Sequence, residues 1–69
     1  MFRTQILKRI KELLPKRSHI YFNSNNIVYI ERNSFGAVNI AFETHTMGLE
    51  TCNTETLEFV MKKLESKNF

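Results

Sequence analysis

The run from Ile27 to Phe42 constrains this chain more than any other stretch. Two β-rich segments, Ile-Val-Tyr-Ile-Glu-Arg at 27–32 and Ala-Val-Asn-Ile-Ala-Phe at 37–42, flank the turn signal Asn-Ser-Phe-Gly. Apolar residues fall on even numbers on both sides: Val28 and Ile30, then Val38, Ile40 and Phe42. A hairpin face built from those five side chains needs to be shielded from water, so the rest of the chain must supply its cover.

Two segments have the right pattern. Phe2, Ile6, Ile10 and Leu13, with Leu7 and Leu14 beside them, span an arc of roughly 140° at helical spacing. That helix must end near Pro15, which disfavours helical geometry in the residue before it and lacks the next amide donor. Leu57, Val60, Met61 and Leu64 repeat the stripe in a second helix expected over 54–66, where Asn53 serves as N-cap and Glu55 lies in the first turn. Ser18 to Asn23 reads as another strand, and Asn23-Ser24-Asn25-Asn26 as a hairpin loop, because short polar residues tolerate left-handed backbone. The third strand is expected from Ala37 to about Thr44, and residues 44–53 are the least legible. An extended tail with a turn at Gly48 is the expectation, a short fourth strand the alternative.

The 69 residues therefore predict one small α+β domain over 1–69. Its order is helix-strand-strand-strand-helix, a three-stranded antiparallel meander with both helices on one face. The odd-numbered face would then be open, carrying His19, Tyr21, Ile27, Tyr29, Glu31, Ala37, Asn39, Ala41, Glu43 and His45.

Charge is uneven. Residues 1–17 hold six basic side chains against Glu12 alone, a balance of +5, while the remainder carries four basic and six acidic, −2. Such asymmetry points to an acidic partner. One cysteine, Cys52, allows no internal disulfide and fits a reducing compartment. No uninterrupted apolar run suits a membrane span, so a cytoplasmic protein is expected. His19, His45 and Cys52 lack metal-site spacing and nothing orients them as a nucleophile pair, so neither cofactor, metal nor catalytic role is assigned.

Two surfaces remain as candidates for binding. The open sheet face around Tyr21, Tyr29 and Asn39 suits a protein partner or, more remotely, stacked bases; tyrosines also occupy solvent-facing strands for no functional reason. Phe35, in a turn, either folds back over the core, the favoured expectation, or stands out as a partner anchor. Lys8, Arg9, Lys11, Lys16 and Arg17 form a basic stripe able to meet phosphates, against the plainer reading of a solvated helix face.

The helix, three strands, helix order is similar to the double-stranded-RNA-binding domain over nearly the whole chain. Its motif residues are not matched: Asn53-Thr54-Glu55-Thr56 stands where that family places a lysine cluster, and Asn23-Ser24-Asn25-Asn26 replaces its Gly-Pro loop. The resemblance implies a shared architecture without the family's site. The leading expectation is a non-enzymatic binding protein, an inhibitor or adaptor of phage or mobile-element type that occupies a larger host protein. Direct nucleic-acid binding through the basic helix and a self-associating homodimer are the alternatives.

Overall fold

In the computed structural model, which describes residues 2–69, helix α1 (Phe2–Leu13) stops two residues before Pro15. Its apolar stripe delivers Ile6 and Ile10 to the core, with Leu14 just past its end. Arg17 then takes a left-handed conformation, φ 62°, as the chain reverses into the sheet.

Strands β1 (Ser18–Ser24), β2 (Ile27–Arg32), β3 (Val38–Phe42) and β4 (Thr46–Gly48) form one antiparallel sheet in sequential order. The meander expected from the sequence thus gains a short fourth strand. Gly48 is not a turn residue. It sits at the end of β4 opposite Asn39, in ordinary extended backbone at φ −69°, ψ 150°. The reversal comes earlier, at 43–45, where the His45 carbonyl accepts from the Phe42 amide at 2.7 Å; β3 accordingly ends at Phe42 instead of Thr44. A 3₁₀ turn (Leu49–Thr51) buries Leu49 and leads to Cys52, also buried. Asn53 then caps α2 (Thr54–Ser66), its side-chain oxygen accepting from the Thr56 amide at 2.8 Å.

Both helices lie on the even-numbered face and touch each other. Ile10, Ile30, Ile40, Leu57 and Val60 are fully buried at the centre, each stabilising the fold by about 1.5–3 kcal/mol relative to exposure. The stripe read in the sequence is thereby paired with the hairpin face it was needed to cover.

One end of the sheet departs from simple alternation. Asn25 and Asn26 both have positive φ, 56° and 62°, the pattern of a two-residue type I′ turn that pairs Ser24 with Ile27. Further along, Tyr21 pairs with Tyr29 and Ile20 with Ile30, a register one residue out of step with the turn. A β-bulge reconciles the two, and a matching irregularity sits between Ile27 and Tyr29 against β3. The inward phase of β2 flips there. Ile27 is 3 % exposed, in the core, whereas Val28 is 39 % exposed, which reverses the even-odd assignment at these two positions.

The hairpin from β2 to β3 is closed by Asn33, whose side-chain oxygen accepts from the Phe35 and Ala37 amides at 2.9 and 3.1 Å. Gly36 supplies the positive φ, 90°, that the reversal needs. Arg32 ties this turn to α1. Its guanidinium donates to the carbonyls of Lys11 (2.7 Å), Leu14 (2.9 Å) and Gly36 (3.2 Å), satisfying acceptors that the helix end leaves open.

Candidate binding surface

The face of the sheet opposite the helices is a lattice of cross-strand pairs. Tyr21, Tyr29, Ala41 and Thr46 lie across from one another in one row; His19, Glu31, Asn39 and Gly48 make the next. The backbone decides how tightly each pair approaches. Asn33 donates to the Ala37 carbonyl at 3.0 Å, and Phe42 donates to His45. Both bonds give the same phase by antiparallel alternation: Tyr29 and Glu31 bond β3, while Ile30 and Arg32 bond β1. His19–Glu31 and Tyr21–Tyr29 are therefore non-hydrogen-bonded pairs, the geometry that brings side chains closest.

Three rings meet there. His19 stacks on Tyr29 at 4.3 Å between centroids and tilts against Tyr21 at 5.0 Å, and the two tyrosines meet edge-on at 6.3 Å. Glu31 reaches the His19 ring at 3.9 Å. Tyr21 is 69 % exposed and Tyr29 half-buried beside it. The neighbouring floor is low, since Ala41 and Gly48 have little or no side chain and Asn39 is the only amide in its row. Ala41, expected on an open face, is only 5 % exposed. The surface is thus an aromatic ridge beside a shallow shelf.

Phe35 does not fold back over the core. It is 93 % exposed at the tip of the β2–β3 turn, because Asn33, Gly36 and Arg32 hold the turn by its backbone and leave the ring outside. His45 leaves the strand expected for it and lies in the β3–β4 turn, stacked on Phe42 at 4.9 Å. His19, His45 and Cys52 contribute to no cluster of three metal-ligating side chains among the described residues. Cys52 is buried, and that burial pushes its thiol above the usual range.

The basic stripe is divided. Arg9 pairs with Glu65 at 3.0 Å and with Glu12 at 3.7 Å; Lys11 pairs with Glu50 at 2.7 Å, a hydrogen bond that holds the Glu50 carboxyl below its usual pKa. Lys8, Lys16 and Arg17 make no ion pair or side-chain hydrogen bond among the described residues. Lys8 and Lys11 line a shallow groove of about 680 Å³ with Leu7, Leu14, Pro15 and Arg32. Arg32, spent on carbonyls, is the residue that sequence reasoning passed over; a strand-ending arginine gives no signal of capping a distant helix. No helix among the described residues is long and apolar enough to cross a membrane.

These features define a small α+β domain with an uncovered aromatic sheet face. In comparisons with known proteins the chain matches no family model, no curated sequence and no solved structure.

Proposed function

We propose that this protein is a non-enzymatic binding module, an inhibitor or adaptor that occupies the surface of a larger protein with its open sheet face. The observation that carries this reading is the His19–Tyr21–Tyr29 cluster. Rings packed against one another lose little further side-chain freedom on docking, and tyrosine is among the residues that dominate interface energetics. Phe35, exposed at the tip of a turn whose backbone is hydrogen-bonded, is a second anchor for the same partner or for another part of it. Asn39, opposite Glu31 and Gly48, offers a polar contact on the shelf and directs register more than affinity.

Direct nucleic-acid binding draws support from the unpaired Lys8, Lys16 and Arg17, and loses some of it to the ion pairs of Arg9 and Lys11. Two variants separate the readings. Tyr21→Ser with Tyr29→Ser alters the face, and Lys8→Glu with Lys16→Glu and Arg17→Glu reverses the free charges. In affinity capture followed by direct titration of the captured protein, the face variant is expected to lose binding and the charge variant to keep it. The converse, together with salt-sensitive binding of the wild type to short DNA or RNA, overturns the proposal in favour of nucleic acid.

A further inference from the structure

The outer edge of β1 is long, neutral and open. β1 has β2 as its one strand neighbour, and no other backbone hydrogen bond reaches residues 19–23 among the described residues. The phase established by Asn33–Ala37 and Phe42–His45 turns the Ile20 peptide groups toward β2 and those of His19 and Tyr21 toward the empty edge. Edge strands are usually guarded by charge, proline, brevity or a β-bulge. The opposite edge, β4, is guarded by its length of three residues. β1 has seven, Ser-His-Ile-Tyr-Phe-Asn-Ser, with no lysine, acid or proline, and its bulge lies beyond Tyr21, which leaves Ser18–Tyr21 in regular pairing with an open outer edge.

We propose that this edge pairs with the β1 edge of a second copy, antiparallel about a two-fold axis through Ile20, to make a continuous eight-stranded sheet. In this register His19 lies opposite Tyr21 of the second copy and Tyr21 opposite its His19. Both are pairs whose free amides and carbonyls already point outward, so four main-chain hydrogen bonds form with no change in either strand. Ile20 meets Ile20 of the second copy in the close, non-hydrogen-bonded position on the helix-covered face, where its side chain is only partly buried in the monomer.

The charge distribution selects this orientation. Lys16 and Arg17 precede the strand and the uncharged Asn23–Asn26 loop follows it. Antiparallel pairing sets each basic end beside the neutral amide loop of the other copy; parallel pairing would bring the two basic ends together. A strand without charge has nothing to select a foreign acidic or basic peptide, whereas it matches itself. The aromatic ridges of the two copies then adjoin across the axis. This pairing is independent of what the open face binds.

The test is the mass of the wild-type protein by sedimentation equilibrium from about 10 μM to about 1 mM, a range that spans weak, reversible association. Doubling of the mass is expected. His19→Pro removes one outward amide, a change edge strands tolerate, and is expected to remain monomeric throughout with an unchanged far-ultraviolet circular dichroism spectrum. Amide exchange on the wild type gives a second readout that needs no variant: protection at His19 and Tyr21 is expected to rise with concentration. A wild type monomeric at the highest concentration, a folded His19→Pro protein that still dimerises, or a dimer that protects other amides instead overturns the proposal.

Discussion

Replacing Arg32 by alanine removes three hydrogen bonds at once and leaves a helix end facing a gap. The bonds to Lys11 and Leu14, at 2.7 and 2.9 Å, are short and charge-assisted; the one to Gly36 is longer, 3.2 Å. Counting about 1–1.5 kcal/mol for each of the first two and about 0.5 for the third, reduced because the group is only partly buried, gives a loss of about 3 kcal/mol. A domain of this size has a total stability of roughly 3.5–10 kcal/mol, so the change consumes a large share of it. Thermal unfolding followed by circular dichroism should show Tm falling by about 12–24 °C. Arg32→Lys is the informative companion. Lysine keeps the charge but has no planar fork to span three carbonyls, so about half of the loss should remain. A cost below about 0.5 kcal/mol for alanine, or lysine equal to arginine, refutes the view that Arg32 clamps the turn to the helix.

Three further outcomes follow from the fold. Ile27→Ala should cost about 2–4 kcal/mol in urea unfolding and Val28→Ala less than about 1, since the bulge buries the first and exposes the second; the reverse order would deny the bulge. Asn53→Ala should cost about 1 kcal/mol by loss of the cap to Thr56, and Asn53→Asp should be nearly neutral, both read by the same unfolding assay. Burial raises the Cys52 thiol pKa from its ordinary 9.0, so the folded state holds the proton that the unfolded chain gives up. Its contribution is therefore intact below pH 9.0 and declines as pH rises beyond it, and Cys52→Ala should flatten that alkaline decline in denaturation midpoints measured between pH 7 and 10.

What was legible in the residues is what short-range rules govern. Pro15 ends α1, Asn53 starts α2, and the Asn25-Asn26 and Gly36 reversals carry the left-handed conformations their residue types favour. Helical stripes and even-numbered apolar residues identified most of the core. The failures all arise where one local rule meets a neighbour's. The two-residue turn demands one register and the strands another, and no period-2 count over Val28 anticipates the bulge that settles the conflict. β4 owes its strand geometry to hydrogen bonds from β3, not to its own Thr-Met-Gly. Phe35 follows hydrophobicity in expectation, but the turn around it is held by Asn33 and Arg32, which leave the ring no route inward. The candidate face was visible as a row of odd-numbered residues; how closely His19 and both tyrosines approach depends also on which cross-strand pairs are non-hydrogen-bonded, a phase fixed by the backbone bonds at Asn33 and Phe42.

The helices that shield the sheet come from opposite ends of the chain and touch each other, with Arg9 of the first bonded to Glu65 of the second. Each strand finds its neighbour within a few residues, whereas this lid is assembled across more than fifty. During synthesis the meander can pair as it leaves the ribosome, yet the part of its apolar side that α2 covers stays bare until Leu64 has emerged. A nascent chain stalled within the last helix is therefore a sticky intermediate, and its hazard is set by the delay between the first strand and the final turn.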